Sequence, residues 1–311
     1  MGNASHVTEF ILLGFPGTPE FRLFLFATFL ILYLLTLMGN FMMVSTVTAD
    51  HHLKKPMYLF LRSLSFTEIC YTTVTVPKML QDLLCDSKSI SFLGCATQLY
   101  FFCFLGTTEC FILAVMAYDR YVAICHPLRY AVVMSKKNCH HLSTASWTAG
   151  ILLALGQISF VFSLNYCGPN VIDHFFCDIL PVVRLACSVT FQNEIAILVY
   201  GTLVIPLPFL LVLVSYAHIL RTVLRMESIT GRQKVFSTCA SHIVSVSLFY
   251  GTATVTYLNT RSVSGKSSGK GLSLFYCFII PMLNPLIYSL RNKEVQDAFR
   301  KILSSKRHRL I

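Results

Sequence analysis

The polar positions along this chain are sparse, and they fall in a regular rhythm. Apolar blocks of about 20 or more residues alternate with short polar stretches, and that length lets a helix cross about 30 Å of hydrocarbon. Seven such blocks occur, at about 23–48, 57–80, 95–124, 142–164, 195–224, 235–259 and 272–290. Backbone in lipid must satisfy its own hydrogen bonds, so each block is predicted to be a helix. The intervening segments are short and polar or rich in Pro, Gly and Ser. None could serve as a linker between two domains, and no internal repeat appears. The expected fold is an all-α membrane protein, a seven-transmembrane helix bundle. The expected division is an outer N-terminus over 1–22, a seven-helix domain over 23–290 and a cytoplasmic helix and tail over 291–311.

Composition agrees with the pattern. Of 311 residues, 55% are hydrophobic and 13% charged, where a soluble domain carries roughly a quarter charged residues. The net charge of +11 raises the question of nucleic acid, but the position of the charge answers it. Of the 25 basic residues, 18 lie on one side of the expected spans, among them Lys54, Lys55, Arg120, Arg129, Lys136, Lys137, Arg291 and Arg300. Basic residues beside apolar spans report topology, so no nucleic-acid partner is expected. The positive-inside rule places the C-terminus in the cytosol and, with an odd number of spans, the N-terminus outside. The first 22 residues lack a basic start followed by an apolar core, so the first span is expected to act as its own insertion signal. The sequon Asn3-Ala4-Ser5 then falls on the glycosylated side.

Position also makes some cysteines informative. Cys95, Cys167, Cys177 and Cys187 lie at or beyond the outer ends of spans, in an oxidising compartment. Four cysteines allow three pairings, and spacing alone does not choose between them. Cys85 is expected outside and unpaired, and the remaining seven read as packing thiols.

Two acids stand inside spans. Glu68 and Glu109 come to similar depth near the midplane because spans 2 and 3 run in opposite directions, with Asn40 and Asn284 at comparable depth in spans 1 and 7. A charge there costs at least about 2.5 kcal/mol, so each acid needs a partner or a proton. One reading is a polar cluster holding Na⁺ or sharing protons; the other is a neutral, hydrogen-bonded packing cluster. Otherwise no cofactor is expected.

At the inner end of span 3, Asp119-Arg120-Tyr121 can form a local ion pair whose arginine changes partner when helices move. The plain alternative is a snorkelling interfacial arginine. Pro206, Pro208, Pro281 and Pro285 loosen spans 5 and 7, and Tyr288 follows Pro285 near the inner end. Beyond span 7, Val295, Phe299, Ile302 and Leu303 keep helical period among basic residues, as in an interfacial helix on an anionic leaflet. Gly265-Lys266-Ser267 looks like the end of a phosphate loop, but Thr260 stands where that motif needs glycine. No metal-ligand spacing and no nucleophile–base constellation occurs, so the chain does not read as an enzyme.

Six stretches together resemble one family. Residues 116–130 (MAYDRYVAICHPLRY), 77–80 (PKML, closing span 2), Ser215-Tyr216, 234–242 with 249–251 (KVFSTCASH, FYG) and 281–294 (PMLNPLIYSLRNKE) resemble the olfactory (odorant) receptors, a rhodopsin-like group of G-protein-coupled receptors. The matches run from Gly39-Asn40 to the tail. The resemblance implies binding of a small volatile odorant and signalling through the olfactory stimulatory G protein to raise cAMP, at the plasma membrane. It implies disulfides Cys95–Cys177 and Cys167–Cys187. It makes Arg120, Tyr216 and Tyr288 activation switches, with Asp119, Tyr121, Tyr250, Asn284 and Pro285 beside them, and gives G-protein contact to the loop from Cys125 to Lys137.

The same resemblance puts the ligand among Phe102, Cys103, Gly106, Thr107, Tyr200, Val204, Thr254, Tyr257 and Cys277, an apolar set suited to a neutral volatile. The outer half of span 3 holds no acid to receive an amine. Arg261 is expected to pair with an outer-loop acid such as Asp173 or Asp178. The chain departs from the family at Lys54-Lys55, at Arg62-Ser63 and at Glu68, and Ser63 is expected to lose an amide hydrogen bond. A transporter or channel would show inverted repeats or a charged pathway, and neither is seen.

Overall fold

The computed structural model describes residues 7–167, 170–187, 191–261, 268–291 and 294–300. Seven long helices form the body. They are α1 (Pro19–Ala49), α2 (Pro56–Leu84), α3 (Phe92–Cys125), α4 (Lys136–Phe162), α5 in two segments (Phe191–Val204 and Pro206–Leu224), α6 (Ile229–Arg261) and α7. The last runs through Ser268–Leu274, a π-helical turn Phe275–Ile279 and Ile280–Arg291. Residues 294–300 form a short further helix, α8.

Six of the seven expected spans lie within one of these helices, the fourth overruns a helix that ends at Phe162, and most helices begin several residues earlier. Caps explain the extensions. Thr18 accepts from Phe21 N–H ahead of Pro19, Ser91 from Gly94 N–H, and Ser135 from Asn138 N–H. Such caps satisfy donors that an apolar window does not register. Span 2 does not close at residues 77–80. The helix runs through Pro77 to Leu84, as a membrane helix tolerates a proline where other groups satisfy the carbonyl it frees.

Among the described residues, five helices are long and apolar enough by themselves to cross a membrane. Polar residues turned inward set α2 and α6 apart: Ser65, Thr67, Glu68, Thr72 and Thr75 are buried on α2, and Ser241, His242 and Ser245 on α6. Large side chains such as Leu23, Phe24, Ile31 and Phe41 on α1 face outward, which is where lipid would be. Helix α3 is central, packed against α2, α4, α5 and α6. Gly150 permits its close approach to α4, since a Cβ there would stand 2.8 Å from the Phe104 carbonyl oxygen.

At the outer end, strands β1 (Glu9–Leu12), β2 (Ser89–Ser91) and β3 (Val171–Ile172) make a small sheet of order β2-β1-β3. Glu9 pairs with Ser91 in the antiparallel half and Ile11 with Val171 in the parallel half. Phe10 and Leu12 point inward and are fully buried. The N-terminal segment thus ties the second outer loop to the start of α3. Disulfides Cys95–Cys177 and Cys167–Cys187, with Cα atoms 5.6 and 5.7 Å apart, fasten the same loop. Cys85 is free and exposed.

Candidate functional site

Below this cap lies a cavity of about 110 Å³. Helix α3 contributes Phe102, Cys103, Gly106, Thr107 and Cys110 at helical spacing; α5 contributes Tyr200, Val204 and Ile205; α6 contributes Phe249, Ala253 and Thr256. The second outer loop supplies Asp178, Ile179 and Leu180 as a roof, and Tyr71 and Tyr276 close the side. Phe102 sits among aromatic rings, 5.1 Å from Tyr71 and 4.8 Å from Phe176 between centroids. Thr107 and Tyr200 exchange a hydroxyl hydrogen bond of 3.0 Å across α3 and α5.

Six of the expected lining residues are on this wall. Thr254 and Cys277 are not, and the side chain of Tyr257 lies outside the described residues. Helix α6 presents the stripe Phe249, Ala253, Thr256, which turns Thr254 aside by about a quarter of a turn. The π-helical turn shifts the register of α7, so Tyr276 faces the cavity while Cys277 is fully buried among Val76, Met79 and Leu80. Tyr71, Cys110, Ile205, Phe249, Ala253, Thr256, Tyr276 and the loop residues were missed. A depth argument from helices alone does not reach a roof made by a folded loop.

The roof also carries charge. Asp178 caps the short helix Ile179–Val183, its Oδ1 accepting from Ile179 N–H at 2.7 Å. Its Oδ2 lies 3.3 Å from the Tyr276 hydroxyl, which is 2.6 Å from Ser273 Oγ. Burial pushes its pKa up to about 6, against the opposing pull of the Ile179 N–H and the Tyr276 hydroxyl. Its partner is therefore Tyr276, and Asp173 pairs instead with Lys270 at 2.5 Å; the side chain of Arg261 lies outside the described residues. His174, stacked on Phe175 and bonded to Ser273, is pushed down to about 3 by burial and then by Lys270, and so is neutral.

Beneath the cavity, polar groups descend through the bundle. Tyr250 donates to the Cys110 carbonyl at 2.9 Å and packs on Phe209. Asn284 donates to Glu68 and accepts from Ser245 at 2.7 Å, and Asn40 donates to the Pro281 carbonyl at 2.9 Å. Pro281 and Pro285 thus sit beside the groups that join α7 to α1, α2 and α6. Glu109 is buried close enough to Glu68 to repel it. Glu68 Oε2, Glu109 Oε1 and Asn40 Oδ1 are buried with no hydrogen-bond partner among the described residues. Among the described residues, no group of three or more His, Cys, Asp or Glu side chains converges as a metal site there.

At the inner end the expected Asp119–Arg120 ion pair is not formed. Asp119 accepts from the Tyr130 hydroxyl at 2.9 Å, and Arg120 Nε is buried and unpaired among the described residues. The Tyr130 hydroxyl takes the carboxylate that would otherwise face the arginine. Tyr121 bonds His126 at 2.9 Å. Tyr216 bonds His242 Nδ1 at 2.6 Å, and His242 Nε2 reaches the Leu113 carbonyl at 3.1 Å, so the neutral ring donates from Nε2 and accepts at Nδ1. The Tyr288 hydroxyl is buried with no hydrogen-bond partner of ordinary geometry among the described residues.

Two departures acquire partners. Ser63 keeps a hydrogen bond after all, accepting from Trp147 Nε1 at 3.0 Å. Lys55 contacts Glu294 at 2.6 and 2.8 Å, and Tyr58 donates to the same carboxylate at 2.8 Å. Val295 of α8 is fully buried against the bundle and Phe299 packs beside it, so the described part of the apolar stripe faces protein. Ile302 and Leu303 lie outside the described residues, as does Asn3.

Seven helices around an outer cavity, with a polar network running inward, define a rhodopsin-like membrane receptor. The fold matches the crystal structure of squid rhodopsin with a TM-score of 0.76 at 18% identity, over 93% of this chain and 87% of that one. Sequence narrows the class. The family model for olfactory receptors matches residues 29–306. Olfactory receptor 10A7 of Homo sapiens is 51% identical over 98% of this chain and 96% of its own. Olfactory receptor-like protein OLF1 of Canis lupus familiaris is 49% identical over 98% of each. The chain belongs to the olfactory receptor family. It is a multi-pass membrane receptor of the plasma membrane and not an enzyme.

Proposed function

We propose that this receptor binds a small odorant in the outer cavity and activates the olfactory stimulatory G protein, raising cAMP. The supporting observation is the cavity's position. It is small, largely apolar and bounded by α3, α5 and α6, the same helices that carry Arg120, Tyr216 and His242 at their inner ends. Cavities of about 150 Å³ accommodate benzene-sized molecules, so the ligand is compact. A ligand that draws α5 and α6 toward α3 acts on Tyr250, which bonds across to Cys110, and through it on the Tyr216–His242 contact. Phe102, Cys103, Gly106, Thr107, Tyr200 and Val204 serve as contact residues in this reading.

The positive-inside count supports an outer N-terminus with Asn3 glycosylated and an inner C-terminus. It supports residues 1–22 outside, 23–290 as the receptor domain and 291–311 on the cytosolic leaflet. The unpaired oxygens of Glu68, Glu109 and Asn40 favour a bound Na⁺ or a shared proton. The test is cAMP in cells carrying the olfactory G protein, against a broad odorant panel, with surface expression confirmed and Arg120→Ala as control. A response lost in the control is expected. Silence at full surface expression would overturn the odorant and G-protein assignment.

A further inference from the structure

We propose that Asp178 is the counter-ion of the outer cavity and that the ligand class includes compact apolar molecules bearing a protonated amine. The inference rests on the cavity assigned above as the odorant site and deepens it by naming a ligand chemistry. The acid comes from the roof, where helix-based reading does not look. Asp178 is the one Asp, Glu, Lys, Arg or His among the described residues that line the cavity. It retains part of its surface accessible, and it lines the cavity, while protein surrounds the rest. Two neutral donors serve its oxygens, Ile179 N–H and the Tyr276 hydroxyl. No cation lies within 4 Å of it among the described residues, since Lys270 is engaged by Asp173.

A carboxylate so placed, ionised at neutral pH, is short of one partner. An ammonium group supplies both the charge and the third hydrogen bond. The aromatic edges of Phe102, Tyr71 and Tyr276 provide the apolar shell for the rest of such a molecule. The titratable groups near Asp178 are Tyr71 from α2, Cys103 from α3, and Tyr276 and Cys277 from α7. Phenols and thiols are ordinarily neutral near pH 7, so none competes for the amine or masks the acid. The carboxyl itself titrates at about 6.

The experiment compares cyclohexylamine with cyclohexanol, which share a shape and differ in charge, by thermal melting of the purified full-length receptor. This readout needs no G protein, so it stands or falls separately from the signalling assignment. At pH 7.5 the amine is expected to raise Tm at lower concentration than the alcohol. At pH 5 the amine stays protonated but about a tenth of the carboxyl remains ionised, so its apparent affinity falls about tenfold while that of the alcohol holds. Asp178→Asn is expected to erase the amine's advantage at pH 7.5. Should that variant not fold, the pH comparison on the unaltered receptor decides. Equal behaviour of the two compounds at both pH values, an amine preference surviving in Asp178→Asn, or no shift from the amine at millimolar concentration would each overturn the proposal.

Discussion

Tyr130 donates its hydroxyl to Asp119 across 2.9 Å, and Arg120, the next residue along, keeps a buried Nε without a partner among the described residues. The acid that would hold the arginine is held elsewhere. A short helical turn after α3, Tyr130–Val133, brings the phenol into place, so the loop that follows α3 sets the state of its inner end.

Removing that hydroxyl should return Asp119 to Arg120. A hydrogen bond to a charged group contributes about 1.5–3 kcal/mol. Tyr130→Phe is therefore expected to lower maximal cAMP at least fivefold at equal surface expression, because the guanidinium is withdrawn from the G-protein side. Asp119→Asn in the same background should restore the response. An unchanged maximum in Tyr130→Phe would show that the loop contact does not govern Arg120.

Trp147 donates to Ser63 at 3.0 Å and packs on Phe66 and Phe104. Ser63→Ala leaves the indole N–H without its acceptor, at a cost of about 1–3 kcal/mol. Tm of the purified receptor should fall by several degrees, with ligand response intact at lower temperature. Ser63→Asn offers a longer acceptor and is expected to recover most of the loss. A Tm unaffected by Ser63→Ala would mean that water replaces the contact.

The spans were legible because lipid imposes a length on every apolar block, and all but the last two residues of the fourth, 163–164, fall inside the helix lengths. Their ends were not, because Thr18, Ser91 and Ser135 cap the helices in segments too polar for a hydropathy reading. Glu68 and Glu109, with Asn40 and Asn284, were legible as a cluster from depth alone, since antiparallel helices bring equal depths together, and Asn284 is bonded to Glu68. Residue facing was less legible. Thr254 and Cys277 fail because one residue is 100° on a helix and a π-turn inserts an offset that sequence does not announce. Asp178 was read as a loop acid because the folding of residues 165–187 over the cavity depends on two disulfides and a strand pairing distant in sequence.

Lys55, Tyr58 and Glu294 clip the first inner loop to the start of α8. The Lys55 ammonium, followed by the Tyr58 hydroxyl, draws the Glu294 carboxyl below its ordinary range. A depressed carboxylate contributes stability that is complete above its unfolded value and is lost as pH falls through the folded one. The window therefore opens below about pH 4.5. The pair is about half exposed, so the contribution is at most about 1 kcal/mol. Lys55→Met should melt slightly lower at pH 7, and the two proteins should converge by pH 3. Parallel curves across that range would assign the difference to packing instead of charge.

Glu68 and Glu109 pose the sharpest test of what the bundle holds at its centre. Both are buried, each leaves an oxygen unpaired among the described residues, and the Asn284 amide serves only one of them. Two carboxylates in that setting cannot both stay ionised and unattended. A cation between them and a shared proton make opposite predictions about salt. With Na⁺ at ten times its Kd, the folded receptor gains about 1.4 kcal/mol. Replacing choline chloride by sodium chloride at constant ionic strength should then raise Tm by about 2 °C or more. Glu109→Gln should abolish that increment while raising Tm in choline, since it removes a buried charge and keeps the shape. Glu68→Gln should abolish it as well, while its amide oxygen continues to accept from Asn284. With a shared proton, Tm is indifferent to the cation and falls instead as pH rises, in the unaltered receptor alone. A melting temperature insensitive to both sodium and pH, and unmoved by either substitution, would reduce the cluster to hydrogen-bonded packing and remove the ion from the account of how α2, α3 and α7 are joined.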